Sequence, residues 1–457
     1  MRLYGVVVCL VLLGFGTAAA AAETHKVSDI ETLAYLLEGR AQPGDIIEIQ
    51  PGTYYLDRPR IFVTSSGTPE APIIITGKIE NGVRPIICAS RTHVWNGIFY
   101  FPEETHDVVV ENLELRNAQG DGRGFEQVFS RNAAGIFMQG SNLTVRNCHI
   151  HGSENGLFAT RTSDFIVIEN CNVGPNGRTE HQRGDGTPLN PHRTHNFYFS
   201  ARHQIIRNCY IHDALDAQNF KSRGRNTIFA YNWVEEDTAY SVEIASGNER
   251  NTLWLGNVVI KRTNLGINQG RLLGIGDGGA ASGTLVVLNN TLITYFPRDF
   301  YFWTQSRTTT DAILMNNVFA GPGESFGSIN GQGTVTGKNN WVARVAGDVP
   351  EGFENTTRGD DAGFADMTGF DFRLRGDSPL INGGVSQEEY LEAIRLVTQY
   401  SRGGANSQPS PIYLKALEDI ENPYPAYQPI RRAPGYARRA IRENMDIGAY
   451  EFVGDSQ

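Results

Sequence analysis

The sequence lacks a basic excess, and it is poor in cysteine. Its 457 residues carry a formal net charge of -10, whereas nucleic-acid-binding proteins usually concentrate Lys and Arg on one face. Nucleic acid is therefore excluded as a partner, while a polyanionic substrate is compatible with this charge where cations are gathered locally. Five cysteines permit disulfides but do not require a disulfide framework.

Long hydrophobic runs are confined to the first 22 residues. This segment begins Met1-Arg2, continues through an apolar stretch and ends in a run of alanines, which is the layout of a cleaved secretory signal. The alternative, a membrane anchor, is disfavoured because the apolar part is short and no later stretch approaches the length that spans a bilayer. We therefore expect an exported protein, secreted or periplasmic, with a signal peptide over 1–22 and no membrane span.

An Asn residue recurs at the end of short apolar runs from residue 108 onward. Successive copies lie 23 to 38 residues apart, at Asn112, Asn147, Asn170, Asn208, Asn232, Asn257, Asn290 and Asn317. These steps are too short for a strand, a crossover helix and a second strand, so each repeat must consist of strands and turns. Asn tolerates the left-handed turn conformation, and its amide can bond the equivalent amide of the next repeat. The pattern predicts an all-β fold, a right-handed parallel β-helix, whereas a β-sandwich would not explain an Asn at each bend.

Three cysteines share one position in this repeat. Cys148, Cys171 and Cys209 each follow an Asn, so we expect them to form an inward-facing stack of small apolar side chains. Because the repeat array grows as one elongated body, we predict a single domain over 23–457.

The two ends of the chain depart from the repeat. Ser28-Asp-Ile-Glu31 has the pattern of a capping box before apolar residues at helical spacing, which predicts one short helix in an N-terminal cap over 23–60. A C-terminal cap region over 341–457 is expected to contain a helix over 386–399. Residues 409–435 are expected to form a Pro-rich loop that folds back over the end coils.

Two insertions interrupt the repeat. The longest lies between Cys171 and Cys209, is polar and Gly-rich, and leads directly towards Lys221, so it could form one wall of a cleft. The second, residues 295–303, supplies aromatic side chains that could stack on sugar rings. Packing of this second loop against its own coil is an equally good interpretation.

The stretch from Tyr210 to Val259 carries the charged residues that suggest chemistry. Alternation places Phe220 inside the coil, so Lys221 and Asn219 are expected to point to solvent from one face. One coil later, Glu243 points outward near Lys221, and Arg271 is the next outward charge. Coils stack about 4.8 Å apart, so these groups can meet at one patch.

Such a patch suits β-elimination from a uronic acid polymer. That reaction needs a base for the C5 proton, a cation or metal beside the carboxylate, and a proton donor for the leaving oxygen. The candidate catalytic residues are Lys221 as base, with Arg223 or Arg271 on the substrate carboxylate. Hard oxygen ligands for calcium are offered by Asp213, Asp216 and Glu243. The candidate substrate-binding residues are Asn219, His195, His212, Tyr240 and Trp303. A solvated turn with surface ion pairs is the alternative interpretation of these charges.

Several segments carry a resemblance to a known family. Pro43-Gly-Asp-Ile-Ile, the segment from Gly67 to Ile75, the Asn repeat and Phe220-Lys-Ser resemble the β-helix polysaccharide lyases that include alginate lyases and chondroitinase B. The resemblance implies that Lys221 is the base and that Asp216, five positions earlier, binds calcium. It also implies an Arg one coil later, where this sequence has Glu243 and no Arg-His-Gly, so Arg223 or Arg271 would have to substitute.

Three functions are compatible with the sequence. The first is an exported, monomeric polysaccharide lyase that acts on an acidic, uronate-containing polysaccharide, with calcium as a cofactor. The second is a pectinase-like glycoside hydrolase, in which Asp213, Asp216 and Asp237 would converge as acid and base. The third is a non-catalytic glycan-binding or surface protein, because one fold serves many functions.

Overall fold

Three long parallel β-sheets run along the computed structural model. The structure describes residues 22–120, 133–178, 193–236, 241–262, 270–403, 407–422, 426–439 and 445–452. Each coil contributes one strand in turn to the sheets that we call sheet A, sheet B and sheet C. This arrangement confirms the predicted parallel β-helix.

Strands of equivalent position in successive coils build each sheet. Sheet A has 13 strands: Thr24–Val27, Ile46–Ile49, Ile73–Gly77, His106–Glu111, Ser141–Arg146, Ile166–Glu169, His203–Arg207, Asn226–Ala230, Asn251–Leu255, Thr284–Leu288, Asp311–Met315, Val335–Lys338 and Phe353–Glu354. Sheet B has 12: Thr53–Tyr55, Ile86–Cys88, Glu114–Arg116, His149–His151, Asn172–Val173, Tyr210–His212, Trp233–Glu236, Val258–Lys261, Thr291–Thr294, Val318–Ala320, Trp341–Ala343 and Thr357–Gly359. Sheet C has 10: Ile61–Phe62, Phe99–Phe101, Ala134–Met138, Asn155–Ala159, Phe197–Phe199, Phe220–Ser222, Val242–Gly247, Arg271–Ala281, Phe300–Thr304 and Ser325–Ile329.

The remaining described elements are three helices, one 3-10 turn and two antiparallel hairpins. The helices are α1 (Ile30–Leu37), α2 (Gln387–Thr398) and α3 (Pro411–Glu421), and the 3-10 turn is Arg344–Ala346. The hairpins pair Phe364–Asp366 with Asp371–Leu374 and Ala426–Pro429 with Tyr436–Arg439. None of the described helices has the length and apolarity that crossing a bilayer requires.

The core lies inside the coils, where the inward-pointing side chains of successive strands stack in register. In sheet C, Phe197 pairs with Phe220, Phe220 with Val242, Val242 with Leu273, and Leu273 with Phe302. All five side chains are fully buried, and each such burial contributes about 1.5–3 kcal/mol. Since side chains alternate along a strand, the residue after each of these points to the outer face. The core therefore fixes which side chains form the outer surface of sheet C.

The repeated Asn residues occupy two adjacent columns rather than one. Asn112, Asn147, Asn170 and Asn208 have positive φ angles of 51° to 60° at the bend between sheets A and B. From Asn232 onward, the residue before the repeated Asn has the positive φ angle, as at Tyr231 and Gly256. The repeated Asn then lies one residue after the left-handed position and stacks on its equivalents in the adjacent coils. There its side-chain amide bonds the next coil, as in the 3.1 Å contact from Asn232 Nδ2 to Asn257 Oδ1. The prediction of an Asn ladder is confirmed for these coils.

The cysteine stack continues into the buried Asn ladder. Cys148, Cys171 and Cys209 are buried free thiols, as the sequence predicted. The backbone N–H of Cys209 donates to Asn232 Oδ1 at 2.9 Å, so the column of small thiols passes directly into the column of amides. A buried thiol needs no partner, whereas a buried amide is stable only when it is hydrogen bonded.

Helix α1 begins one residue later than the capping-box pattern predicted. Asp29 is the N-cap residue, with extended φ and ψ, and its Oδ1 accepts from the backbone N–H of Thr32 at 2.7 Å. Its Oδ2 accepts from the Thr32 hydroxyl at 2.9 Å. Asp is as good an N-cap residue as Ser. Because Asp29 bonds both the backbone and the hydroxyl of Thr32, Ser28 is not needed to cap the helix. Ile30, Leu33, Ala34 and Leu37 form the buried face.

The C-terminal segment lies along the outside of sheets A and B. Helix α2 confirms the predicted helix, with Ser386 and Glu389 forming a capping box. Residues 409–435 are not only a loop, because Ser410 caps α3 and Pro411 occupies its first turn, a favourable start for a helix. Helix α3 packs on strands Ile166–Glu169 and His203–Arg207. The expectation that this segment covers the end coils is therefore wrong.

Candidate functional site

The outer face of sheet C carries a column of aromatic side chains that ends in charged ones. Equivalent residues of successive coils are paired in parallel register along Phe62, Tyr100, Phe137, Phe158, Tyr198, Lys221 and Glu243. Phe137 and Phe158 stack with centroids 4.7 Å apart, and Phe158 and Tyr198 with centroids 4.9 Å apart. Lys221 is the next residue of this column, so the fold places it directly beside Tyr198 and Glu243.

Lys221 lies on the predicted face but is not open to solvent. Its pairing with Glu243 and the burial of Phe220 in the core confirm the predicted alternation. However, only 8% of Lys221 is exposed, whereas the sequence predicted that it points to solvent. The reason is its surroundings, since Tyr198 and Glu243 flank it in the adjacent coils.

Glu243 and Arg271 form an ion pair next to Lys221. Arg271 Nη2 lies 2.8 Å from Glu243 Oε1, and the two side chains are 4% and 0% exposed. The Arg271 guanidinium lies 3.9 Å above the ring of Trp303, which fits a cation–π contact. Gly274 makes this possible, because a Cβ there would lie 3.0 Å from Arg271 Nε. The predicted residues Glu243, Arg271 and Trp303 are thus brought together.

Arg223 binds the aromatic end of the column. Its Nε donates to the Tyr198 hydroxyl at 2.9 Å, and its Nη1 donates to Ser246 Oγ at 3.1 Å. The side chain of Arg250 donates to the backbone oxygen of Arg223. Burial and the Arg223 charge lower the pKa of Arg250 to about 10. Positive charge is therefore concentrated around this part of sheet C.

His195 lies beneath this charge as a neutral imidazole. Burial lowers the pKa of His195 well below its usual value, and the charges of Lys221 and Arg223 lower it further. The backbone N–H of Gln218 donates to Nδ1 of His195 at 3.2 Å, so the ring proton belongs on Nε2. The ring centroid lies 5.1 Å from that of Tyr198. His195 therefore belongs to the same group as Lys221, which we call the sheet C cluster: His195, Tyr198, Gln218, Lys221, Arg223, Glu243, Ser246, Arg271 and Trp303.

Asn219 does not belong to this cluster. It was predicted to face the substrate, but it is fully buried. Its Oδ1 accepts from Asn196 Nδ2 at 2.5 Å, and its Nδ2 donates to the backbone oxygen of Glu235 at 2.6 Å. Asn176, Asn196 and Asn219 form a second ladder of side-chain amides at the bend before sheet C. The side chain of Asn219 therefore points inward. Simple alternation fails here because Asn219 precedes the strand Phe220–Ser222 and lies in the bend.

The three carboxylates predicted to hold calcium are dispersed. Glu243 contacts Arg271 and Gln218 with its two oxygens. Asp216 Oδ2 accepts from the backbone N–H groups of Arg193 and Thr194, both at 3.0 Å, and thereby holds the segment before His195.

Asp213 and His212 lie at the end of a sheet B strand, apart from the sheet C cluster. His212 Nδ1 lies 2.8 Å from Asp213 Oδ2, and Arg262 Nη2 lies 2.6 Å from Asp213 Oδ1. Burial raises the pKa of this carboxyl, but the hydrogen bond of His212 and the charges of His212 and Arg262 outweigh it and lower the pKa of Asp213 overall. Positive φ at Asp213 turns the chain away from sheet B, which explains why its neighbours differ from those of Asp216.

These contacts do not fit a calcium ion, which needs six to eight oxygen ligands. Among the described residues, Asp213, Asp216 and Glu243 do not form a group of ligand atoms, and their oxygens are engaged by cations and N–H donors. The prediction that they gather around calcium is wrong for this part of the chain. Tyr240 and Asp237, which the sequence also suggested, lie outside the described residues.

Three members of the cluster were missed by the sequence interpretation: Tyr198, Gln218 and Ser246, whose hydroxyl accepts from Arg223. Tyr198 stands between the inward residues Phe197 and Phe199, so the alternation of Asn-Phe-Tyr-Phe-Ser could have placed it one coil before Lys221. Gln218 donates to Glu243 from the bend before the strand, and no sequence signal marks it.

Comparison with known proteins agrees with this architecture. The family model of the right-handed beta helix region matches residues 134–292. The chain has the fold of a right-handed parallel β-helix. Among curated proteins, none matches this sequence.

Several solved structures are similar to this chain at low sequence identity. The pectate lyase Pel9A is 13% identical, with a TM-score of 0.50 over 95% of this chain and 97% of that one. A PL6 family polysaccharide lyase from Pseudopedobacter saltans is 12% identical, with a TM-score of 0.41 over 78% and 97%. An alginate lyase from Paenibacillus sp. is 14% identical, with a TM-score of 0.39 over 63% and 99%. At 13% identity, the similarity to Pel9A is evidence for the fold alone. The function must be argued from the sheet C cluster itself.

Proposed function

We propose that the protein is a polysaccharide lyase that acts on an acidic, uronate-containing polysaccharide at the sheet C cluster. The observation that carries the proposal is the concentration of Lys221, Arg223 and Arg271 in adjacent coils of one outer face. The two guanidinium groups suit the carboxylate of a uronic acid, and Lys221 lies beside them where a base is needed. The likeness of the fold to that of a pectate lyase supports the same class of reaction.

The chemistry assigns a role to each group. The neutral amine of Lys221 takes the proton from C5 and becomes an ammonium, the electron pair of the C5–H bond forms the double bond between C4 and C5, and the bond from C4 to the leaving oxygen breaks. Tyr198, whose hydroxyl is held by Arg223, gives its proton to that oxygen. Arg223 and Arg271 stabilise the carboxylate while negative charge develops on it. A guanidinium has five donor hydrogens, so the two bonds that Arg223 makes to Tyr198 and Ser246 leave donors for the substrate.

Gln218 and His195 supply neutral groups for sugar hydroxyls. The Oε1 atom of Gln218 is buried and has no hydrogen-bond partner among the described residues, so it is an acceptor that a hydroxyl can satisfy. The neutral imidazole of His195 carries its proton on Nε2 and is a donor. Export of a monomer through the signal at 1–22 belongs to the same proposal.

The burial of the charged groups favours a second candidate function. Lys221, Glu243 and Arg271 are each less than 10% exposed, and buried ion pairs also occur as purely structural features. In that case the protein is a non-catalytic β-helix protein that binds a glycan elsewhere. The hydrolase alternative has less support, because Asp213 and Asp216 bind different partners.

A panel of polysaccharides separates these functions. The purified protein is incubated with alginate, pectate and glycosaminoglycans, and both ultraviolet absorbance and reducing ends are measured. Elimination produces an unsaturated uronate, so absorbance and reducing ends rise together on at least one substrate. Reducing ends without absorbance would indicate hydrolysis, and no change on any acidic polysaccharide would contradict the lyase proposal.

A further inference from the structure

Sheet B carries a group of polar side chains that the proposed function does not use. The strands Glu114–Arg116 and His149–His151 pair in parallel, with His149 opposite Glu114. Ile150 is fully buried in the core, so alternation turns His149 and His151 to the outer face on either side of it. The repeat therefore places two imidazoles and one carboxylate on the same surface.

The potential ligand atoms of these three residues are close together. His151 Nε2 lies 3.1 Å from Glu114 Oε1, and His149 Nδ1 lies 4.0 Å from Glu114 Oε2. The two imidazole rings stack with centroids 4.3 Å apart, and one ligand atom from each residue lies within 4.8 Å of the others. In the part of the chain that the structure describes, this is the one group of His, Cys, Asp or Glu ligands with such spacing.

These separations are close to those required around one small cation. Zinc binds imidazole nitrogen and carboxylate oxygen at about 2.0–2.2 Å, which puts tetrahedral ligands about 3.3 Å apart. The 3.1 Å separation of His151 Nε2 and Glu114 Oε1 is already close to that distance, and rotation of the His149 side chain would have to shorten the 4.0 Å one. Their exposed fractions are 32% and 24%, and that of Glu114 is 20%, so an ion can reach the group from solvent.

The neighbouring cation orients the carboxylate without blocking it. Arg116 Nη1 lies 3.1 Å from Glu114 Oε1, which leaves Oε2 facing His149. Residues that bond a metal-binding carboxylate from outside fix its orientation and tune its affinity. Arg116 can therefore hold Glu114 in place while the other oxygen binds an ion, although its charge also weakens the attraction of the site for cations.

We propose that Glu114, His149 and His151 bind a zinc-class divalent cation on the outer face of sheet B. Two imidazoles with one carboxylate favour Zn²⁺, Co²⁺ or Ni²⁺, whereas calcium and magnesium prefer oxygen ligands alone. Three protein ligands leave a fourth position for water or for a ligand oxygen. The site is independent of the sheet C cluster.

Zinc binding to the full chain tests the proposal. Isothermal titration with Zn²⁺ and the visible spectrum of bound Co²⁺ are measured on wild type, His149→Asn, His151→Gln and the control His106→Asn, which removes a half-exposed imidazole beside Asp107. One equivalent of zinc is expected on wild type and the control and is lost in both sheet B variants, with the tetrahedral Co²⁺ spectrum lost in parallel. Far-ultraviolet circular dichroism confirms that each variant is folded.

Two results would overturn the site. The first is that wild-type protein binds no equivalent of zinc, or that its bound Co²⁺ does not give a tetrahedral spectrum. The second is a folded His149→Asn or His151→Gln variant that binds as much zinc as wild type, because the ion would then lie elsewhere. As a further readout, zinc raises the melting temperature of wild type through binding to the folded state and leaves that of the two variants unchanged.

Discussion

A single asparagine shows how strongly one side chain can join three coils. Asn257 is fully buried, and its Oδ1 accepts from both the backbone N–H and the Nδ2 of Asn232, at 2.9 and 3.1 Å. Its Nδ2 donates to Phe229 O and to Asn290 Oδ1, both at 2.9 Å. All of the hydrogen-bonding capacity of this amide is therefore used between coils.

The substitution Asn257→Ala should be strongly destabilising. It leaves several buried donors and acceptors without partners, and each such group costs about 1–3 kcal/mol. We expect the free energy of unfolding to fall by about 2–4 kcal/mol, measured by urea denaturation. The control Asn330→Ala removes an exposed amide that bonds only Ser328 nearby and should change stability little. Equal stability of the two variants would contradict the role of the ladder.

The lowered pKa of His195 predicts that the stability of the protein depends on pH. Its folded pKa is lowered by burial and by the charges of Lys221 and Arg223, so below its unfolded pKa of about 6.5 the unfolded chain binds the extra proton. Stability therefore falls as the pH drops from about 7 towards about 5. In His195→Gln this contribution disappears, and melting temperatures measured across that range should fall less steeply. A slope as steep as that of wild type would show that His195 takes up its proton in the folded state.

The site residues also show which side-chain properties can be predicted from the sequence of a single strand: direction can, but exposure cannot. Phe220 inward and Lys221 outward follow from the two-residue period of a strand, and the structure confirms both directions. The period does not apply in bends, so Asn219 was misplaced although it adjoins the same strand. Exposure is set by neighbours from other coils, and no local pattern in Phe220-Lys-Ser reveals that Tyr198 and Glu243 flank Lys221.

At the scale of elements, helix α3 packs on sheet A through an apolar face and an ion pair of Arg207. Leu417 of α3 is fully buried against the outer side chains of sheet A, including Ile205. Arg207 bonds Glu169 in the neighbouring coil at 2.7 Å and Asp419 of α3 at 3.0 Å. The helix was missed in the sequence because the Pro residues around it were taken as loop signals, although Pro411 follows a capping Ser410.

The substitution Leu417→Ala should loosen α3 from the coils. Removing a buried Leu side chain costs about 2–5 kcal/mol, and the cost should appear first as faster hydrogen exchange in α3 and then as a lower melting temperature. Glu418→Ala, on the exposed side of the same turn, is the matched control. Unchanged exchange in α3 of the Leu417→Ala variant would mean that the helix is held mainly by Arg207.

At the scale of the whole molecule, the repeat made the fold predictable. The packing of the C-terminal segment on the outside of the coils could not be predicted in the same way. A repeated bend every coil is a local signal that appears many times, so the parallel β-helix followed from the Asn spacing. The tail packs on distant coils, as when the Asn289 amide donates to the backbone oxygen of Asp446 at 3.0 Å. Contacts over such sequence distances leave no periodic signal. Asp213 and Asp216 were wrongly expected to meet for a different reason: they lie in a bend with positive φ at Asp213, where the strand period does not apply.

The activity of a Lys221 variant tests the central claim most directly. On the acidic polysaccharide that wild type cleaves, the initial rise in ultraviolet absorbance is compared among wild type, Lys221→Met and Lys415→Ala, which removes an exposed lysine of α3. Met keeps most of the buried side-chain volume, and melting temperatures confirm that all three proteins are folded. The account predicts a fall of at least about 100-fold for Lys221→Met and none for Lys415→Ala. A folded Lys221→Met variant with wild-type rates would contradict it.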